Sequence, residues 1–238
     1  QILASHSLVE GTMELPDLPR LAAEIAASAQ GGEDGFAQAL ARLRAPELRT
    51  LGERYLASTR VQRRTGAPFF IDKMPNNWLY VGLIRLALPN AKIIDARRHP
   101  LDCGTSVFTQ HFARGQAFAY SLEDIGRYYR DYVEWMAHVD AVLPGRVHRV
   151  IYERLIEDTE PEVRRLLEFC GLPFEQGCLR FHENARAVRT ASSEQVRRPI
   201  FREGIGRSRR YQPWLEPLRT SLGAVLDRYP QAPPPAER

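Results

Sequence analysis

Lysine is almost absent from this 238-residue sequence. Lys73 and Lys92 are the only lysines among 33 lysine and arginine residues, so arginine carries nearly all of the positive charge behind the net charge of +4. Cysteine is also scarce. Cys103, Cys170 and Cys178 form an odd set without a CxxC pair, which argues against a disulfide framework and a structural zinc site. We therefore expect a reducing, cytoplasmic setting and no metal.

Long apolar runs are lacking as well. No stretch approaches the about 20 apolar residues that a membrane-spanning helix needs, and the first residues, QILASHSLVEG, do not have the basic and apolar regions of a signal peptide. We expect no membrane partner. Eight arginines lie between Arg186 and Arg210, and such a cluster needs an anionic partner or solvent. It lacks interleaved stacking aromatics, which favours a small phosphorylated ligand over nucleic acid.

Short apolar runs alternate with helical patterns along the chain. Residues 68–72, 92–96 and 147–151 are predicted strands, and each is followed by a helical pattern. Between Leu122 and Leu143, apolar residues recur every three or four positions, which is typical of a helix that faces a core. The positions of this stripe are Ile125, Tyr129, Tyr132, Met136, Val139 and Leu143. Strands that alternate with helices predict an α/β fold with βαβ units and a parallel sheet.

The chain shows no internal repeat and no long linker, so we expect one domain over residues 1–230 and a disordered tail over 231–238. Two further helical patterns cover about 15–29 and 35–63. Since ligands of parallel sheets bind at the carboxyl ends of the strands, the residues just after each predicted strand are the candidate site.

The segment after the second predicted strand is the most specific of these. It places Arg98 at a strand end and Ser106 in the first two turns of the next helix. A phosphate there could be held by a guanidinium fork and a hydroxyl, with a favourable contribution from the helix dipole. An arginine beside a helix cap on the surface is the alternative.

Six segments together resemble PAPS-dependent sulfotransferases: RRHPLDCGTSV, FIDKMPNNW, IYERLIEDTEPEVRRLLEFCGLPFE, RTASSEQVRRPIF, GRSRRY and QILASHSLVEGTMEL. The first resembles the 3′-phosphate motif of that family, in which a serine follows an arginine by eight positions. The similarity is greatest to bacterial TPR-associated sulfotransferases, which are related to tyrosylprotein sulfotransferases. It implies a P-loop-NTPase-like central parallel sheet flanked by helices, and the last segment resembles the helix and loop that follow the phosphosulfate loop. That Gly-rich loop, of the form RSGTT, and the strand before it are expected just before Gln1 and are missing from this sequence, so we expect the chain by itself to be inactive.

The resemblance implies catalytic roles for Glu14, Lys73 and Ser192. Glu14 matches the general base, with Glu10 as the alternative, and Lys73 matches the lysine that contacts the bridging and sulfuryl oxygens. Ser192 matches a serine near the leaving group, with Ser193 beside it.

The remaining matches concern the nucleotide. Arg98 and Ser106 match the residues that bind the 3′-phosphate of PAPS, and Tyr152 matches an aromatic residue on the adenine, although a core tyrosine would explain it too. Further cofactor-binding candidates in the C-terminal segments are Ser193, Arg207, Arg209 and Arg210, without a choice among the three arginines.

The expected reaction is therefore in-line transfer of a sulfuryl group from PAPS to a hydroxyl acceptor, which leaves PAP and needs no metal. The acceptor is a peptide, glycan or small molecule, with protein tyrosine as one candidate, and a homodimer is an open alternative to a monomer. Two other readings stay open: a P-loop nucleotide kinase-like phosphotransferase, and a catalytically dead nucleotide-binding module.

Overall fold

The chain divides into two compact units. One comprises Gln1–Lys92 with Cys170–Pro199, and the other comprises Ile93–Phe169 with Ile200–Arg238. Each unit contains a pair of parallel strands surrounded by helices. The computed structural model describes residues 1–28, 35–112, 116–186 and 195–234.

The first unit is built around strands β1 (Val9–Gly11) and β2 (Phe69–Ile71). They are parallel, with Val9 opposite Phe69 and Gly11 opposite Ile71. Its α-helices are α1 (Asp17–Ala27), α2 (Gly35–Arg42), α3 (Ala45–Thr59) and α4 (Val81–Ala87). Its 3₁₀ helices are Leu3–Ser5, Arg60–Gln62, Asn77–Tyr80, Gln176–Cys178, Phe181–Glu183 and Gln195–Arg197.

Two sequence expectations for this unit can be compared with the structure. The helical pattern predicted over 35–63 is helical but interrupted, because Pro46 has no N–H with which to continue α2, and Arg44 is extended between α2 and α3. The Glu47 carboxylate then accepts a hydrogen bond from the Arg44 amide at 2.9 Å and caps the new helix. The segment before Glu14, expected as helix and loop, contains strand β1, whose three residues are too few to show an alternating pattern.

The core of the first unit is made by one face of α1 packed on α2 and α3, and α4 packs on α3. Apolar side chains three or four positions apart on α1 lie on one stripe of the helix, as an amphipathic helix requires. Burying each leucine of such a stripe stabilises the fold by about 1.5–3 kcal/mol relative to exposure. The buried residues of this cluster are Leu18, Leu21, Ala22, Ile25, Ala39, Leu51, Tyr55 and Leu83.

The second unit is built around strands β3 (Ile93–Arg97) and β4 (Val147–Ile151), close to the predicted strands 92–96 and 147–151. They are parallel, and Arg97 lies opposite Ile151 at their carboxyl ends. Its 3₁₀ helices are Ala117–Tyr120 and Arg207–Trp214. Its α-helices are α5 (Pro100–Phe108), α6 (Leu122–Val142), α7 (Tyr152–Glu157), α8 (Thr159–Cys170), α9 (Glu216–Leu222) and α10 (Ala224–Arg228).

Helix α6 packs one face into the core of the second unit, against α5 and α9. It begins after Ser121, whose hydroxyl accepts a hydrogen bond from the Asp124 amide at 3.1 Å. A Cβ atom on Gly126 would lie 2.5 Å from the Ser221 Cβ, so glycine is what lets α9 approach α6 this closely. Four members of the predicted apolar stripe are buried and Val133 is added to them, whereas Tyr132 and Leu143 are only partly buried. The buried members are Ile125, Tyr129, Val133, Met136 and Val139.

The predicted α/β class with parallel strands is thus confirmed. No helix in the described part of the chain is long and apolar enough to cross a membrane. The single domain over 1–230 and the tail over 231–238 stay predictions, and residues 235–238 lie outside the described residues.

Candidate active site

The carboxyl edge of β1 and β2 brings two predicted catalytic residues together. Because the strands are parallel and end at the pair Gly11 and Ile71, the residues that follow both strands lie at the same edge. Glu14 follows β1 and Lys73 follows β2. The Lys73 Nζ donates a hydrogen bond to the Glu14 carboxylate, and both side chains are about half exposed to solvent. A carboxylate and an ammonium group therefore meet at a solvent-accessible strand edge.

The segment that carries Lys73 is anchored by its neighbour Asp72. The Asp72 carboxylate accepts a hydrogen bond from the Tyr55 hydroxyl on α3 at 2.6 Å and from the Asn77 amide at 3.3 Å. Burial raises the pKa of Asp72, although these two hydrogen bonds act in the opposite direction. Burial also raises the pKa of Tyr55, so the phenol keeps its proton and remains the donor. Asn77 thus supports the segment through Asp72.

Glu10, the alternative base, is engaged elsewhere. Its carboxylate accepts hydrogen bonds from the Arg64 amide at 2.5 Å, the Thr65 amide at 3.1 Å and the Thr65 hydroxyl at 2.8 Å. Burial alone would raise the pKa of Glu10, but these hydrogen bonds hold it below its ordinary value. Both oxygens of Glu10 are thus occupied by the segment 64–65, whereas the Glu14 side chain is about half exposed at the strand edge.

The carboxyl edge of β3 and β4 brings together three predicted nucleotide residues. Arg98 and Tyr152 each follow the last paired residue of their strand, so they are lateral neighbours. The Arg98 guanidinium carbon lies 5.2 Å from the centroid of the Tyr152 ring, within range of a cation–π contact. Its Nη1 donates a hydrogen bond to the Ser106 hydroxyl of α5 at 3.1 Å. The expected convergence of the arginine and the serine is therefore present.

The peptide group between Arg98 and His99 is held by two side chains. The Tyr129 hydroxyl donates to the Arg98 carbonyl at 2.6 Å, and the Glu153 carboxylate accepts from the His99 amide at 3.0 Å. The other Glu153 oxygen accepts from the Tyr229 hydroxyl, and the Tyr229 ring lies edge-on to His99 at 5.2 Å. Burial raises the pKa of Tyr129, which keeps this phenol a donor. His99 is the residue directly before α5.

A C-terminal segment packs against the same arginine. The Arg98 Nη2 donates a hydrogen bond to the Gly204 carbonyl. Arg207 opens the 3₁₀ helix that follows, and its Nη2 donates to the Thr109 hydroxyl, three positions after Ser106, at 3.4 Å. Of the three C-terminal arginines proposed at the nucleotide, Arg207 therefore contacts the segment that carries Ser106. All three are exposed: Arg207, Arg209 and Arg210.

Two predicted residues cannot be placed, and others were missed. Ser192 and Ser193 lie outside the described residues. Sequence reasoning identified Tyr129 only as a core position and passed over Glu153. The signal for Glu153 was its place directly after Tyr152 at a strand end, where polar residues usually serve a site.

The donors around Arg98 fit a phosphate group. Its Nε is buried and has no hydrogen-bond partner among the residues that the structure describes. An unpaired guanidinium N–H beside a hydroxyl is a donor set that suits phosphate oxygens. Within residues 1–28, 35–112, 116–186 and 195–234, the structure has no group of three His, Cys, Asp or Glu side chains that could hold a metal ion.

Comparisons with known proteins show which family the chain is similar to. A model described as "Sulfotransferase family" matches residues 1–176. An uncharacterized protein of Aquifex aeolicus (strain VF5) is 37% identical over 225 residues, which are 92% of this chain and 29% of that protein. A Caenorhabditis briggsae protein, provisionally named a protein-tyrosine sulfotransferase, is 28% identical over 123 residues, which are 49% of this chain and 42% of that protein. The chain thus spans less than half the length of either relative. The sulfotransferase domain from the curacin biosynthetic pathway has a TM-score of 0.49 and 19% identity, over 75% of this chain and 70% of that one. The family model covers more than half of the sequence, and the chain belongs to the sulfotransferase family.

Proposed function

We propose that the protein transfers a sulfuryl group from PAPS to a hydroxyl acceptor. The observation that carries the proposal is the hydrogen bond between the Arg98 Nη1 and the Ser106 hydroxyl at 3.1 Å, beside the unpaired Nε of the same guanidinium. Two different donors, one at a strand end and one on the next helix, would suit a doubly charged group such as the 3′-phosphate that distinguishes PAPS from other adenine nucleotides.

The residues of the second unit would hold the nucleotide. PAPS would supply the activated sulfuryl group, and PAP would be the product. Arg98 and Ser106 would donate to the 3′-phosphate, and the Tyr152 ring, half buried beside Arg98, would offer a face to the adenine. The C-terminal arginines add positive charge on the same segment, and Arg207 is the first choice among them because it contacts Thr109. Ser193, Arg209 and Arg210 remain further candidates.

The residues of the first unit would perform the proton transfer. Glu14 would accept the proton of the acceptor hydroxyl as the hydroxyl oxygen attacks. That proton neutralises the carboxylate and removes its attraction for the Lys73 ammonium, which is its hydrogen-bond partner here. Lys73 is then free to donate to the negative charge that develops on the leaving group. Ser192 would assist there. The ion pair thus couples the arrival of the proton to the release of the stabilising cation.

A first substrate to test is a peptide tyrosine, because one relative is named for that acceptor. Glycans and small hydroxyl compounds are the alternatives.

Nucleotide preference tests the proposal first. Since the chain spans a minor part of its relatives, binding is measured on the full gene product. We expect PAP to raise the melting temperature more than AMP at equal concentration and constant salt, because binding shifts stability by mass action. A preference for Mg-ATP would support the kinase-like reading, and no response to any nucleotide would support a dead module.

Substitution of the base tests the mechanism. Glu14→Gln keeps the shape of the side chain and removes the proton acceptor, so we expect kcat to fall about 10²–10⁴-fold. PAP affinity should persist, because Arg98 and Ser106 are unchanged. Glu53→Gln is the matched control, since Glu53 is an exposed glutamate paired with Arg49 at 2.9 Å. If Glu14→Gln turns over like Glu53→Gln, Glu14 is not the base.

A further inference from the structure

One buried carboxylate at the nucleotide edge has no role in the scheme above. Asp102 is the third residue of α5 and is only 3% exposed. One of its oxygens accepts a hydrogen bond from the Gly206 amide at 2.7 Å, and the other accepts from the Ser208 amide at 2.8 Å. Both oxygens therefore hold the backbone of a segment more than 100 positions further along the chain.

The same segment, residues 204–208, contacts the nucleotide candidates directly. The Gly204 carbonyl accepts from the Arg98 Nη2, and a Cβ at position 204 would lie 2.6 Å from the Tyr152 hydroxyl. Gly206 has φ +72°, in the left-handed region that glycine adopts without strain. We name residues 204–208 the strap. The strap touches both Arg98 and Tyr152, and Asp102 ties it to the helix that carries Ser106.

The charge of Asp102 suits this contact. Burial alone would raise the pKa of Asp102, but the hydrogen bonds from Ser208 and Gly206, together with the Arg98 guanidinium, hold it below its ordinary value. The carboxylate also lies in the first turn of α5, where the helix dipole favours negative charge. An ionised acceptor with two amide donors is a strong and well-oriented link.

The position of the strap determines how the N–H donors of the Arg98 guanidinium are oriented toward a phosphate. A guanidinium has five N–H donors, and the strap carbonyl takes one of them on Nη2 while Ser106 takes one on Nη1. If the strap moves, Arg98 loses the acceptor that fixes the plane of its fork. Arg207, which directly follows Gly206, moves with it. A change at the strap therefore alters two donors expected at the phosphate.

We propose that Asp102 is a positioning residue for nucleotide binding, which acts by fixing the strap so that Arg98 and Arg207 face the 3′-phosphate. This inference rests on the proposed function. Asp102 does not itself contact the ligand in this proposal. It therefore controls affinity for PAP and PAPS, and leaves the chemistry at Glu14 and Lys73 unchanged.

The test is Asp102→Asn in the full gene product. The asparagine oxygen can accept from one strap amide, but its NH₂ group then faces the second amide, donor against donor. We expect the Kd for PAP and the KM for PAPS to rise about tenfold, as expected for the loss of a hydrogen bond to a charged group, while kcat stays within about twofold. Amide hydrogen exchange at Gly206 and Ser208 should accelerate below the melting temperature. Asp124→Asn is the matched control, because Asp124 is the third residue of α6 and its side chain is about half exposed beside Arg127.

The outcomes separate this inference from the proposed function. If the unmodified protein does not bind PAP, the proposed function fails first. If it binds PAP and Asp102→Asn binds equally well, or loses kcat with an unchanged KM, the positioning role is refuted. Ser208→Ala removes the hydroxyl that hydrogen-bonds to Asp102 and keeps the carboxylate. This variant tests the same role if Asp102→Asn does not fold. For Ser208→Ala we expect a rise of about threefold in the same Kd, and no change would refute the proposal.

Discussion

The convergence of Arg98 and Ser106 can be measured through the phosphate that they would share. PAP and AMP differ by the 3′-phosphate, so the ratio of their dissociation constants isolates this group. Arg98→Ala removes the Nη1 donor and the unpaired Nε. Two hydrogen bonds to a charged group are worth about 3–6 kcal/mol together. In the free protein the Arg98 guanidinium already donates hydrogen bonds to Gly204 and Ser106, which reduces its net contribution to binding. We therefore expect Arg98→Ala to lose about 3 kcal/mol of binding free energy, which is roughly a 100-fold rise in the Kd for PAP.

The Kd for AMP should change little in Arg98→Ala. Ser106→Ala removes one neutral donor, for which we expect about 1 kcal/mol, or roughly a fivefold rise in the Kd for PAP. The double variant should show a coupling energy of about 0.5–2 kcal/mol, because both side chains would contact one group. Isothermal titration calorimetry at fixed salt measures all four proteins, with Arg127→Ala as an exposed arginine control. An equal loss of PAP and AMP affinity, or strict additivity, would refute a shared phosphate.

The remaining predictions concern stability, and denaturant unfolding of this chain measures both. Gly126→Ala should lower the free energy of unfolding by about 1–3 kcal/mol, because its Cβ would lie 2.5 Å from the Ser221 Cβ and overpack the α6–α9 contact. Gly82→Ala in α4 is the matched control, since a Cβ there meets nothing within 4 Å, and we expect a gain of about 0.5–1 kcal/mol. Equal effects of the two alanines would contradict the packing argument. The hydrogen bonds to Glu10 lower its pKa in the folded state, so the folded protein binds fewer protons than the unfolded chain at acidic pH. The stabilisation from Glu10 is therefore full above its unfolded pKa of about 4.3 and is lost as the pH falls below it. In Glu10→Gln, the free energy of unfolding should therefore fall less steeply as the pH is lowered below about 4.3. An unchanged pH dependence would show that the Glu10 pKa is not lowered.

Sequence reasoning located the candidate site because strand ends are short-range features. Arg98 and Ser106 are eight positions apart, on a strand end and the helix after it, so local geometry nearly fixes their distance. Glu14 and Lys73 are 59 positions apart, and the family resemblance implied a catalytic role for each but not their hydrogen bond, since β1 was not foreseen. Its three residues gain their conformation from pairing with β2, as in the 3.2 Å hydrogen bond from the Phe69 amide to the Leu8 carbonyl. A tertiary partner of this kind leaves no local pattern.

The residues that hold the site in place were harder to find for a chemical reason. Tyr129 and Glu153 bond to the carbonyl of Arg98 and the amide of His99, and Asp102 bonds to the amides of Gly206 and Ser208. Every residue has a carbonyl and all except proline have an amide, so such a bond hardly restricts the residue type of the partner. A contact between two side chains can be predicted from their complementary charge or shape. A hydrogen bond between a side chain and a backbone group cannot be predicted in this way. Only the left-handed backbone of Gly206 restricts its own residue type, because a residue with a side chain would be strained there. The positioning groups of this protein therefore become visible only when the chain is folded, even though the groups that they position could be inferred from the sequence.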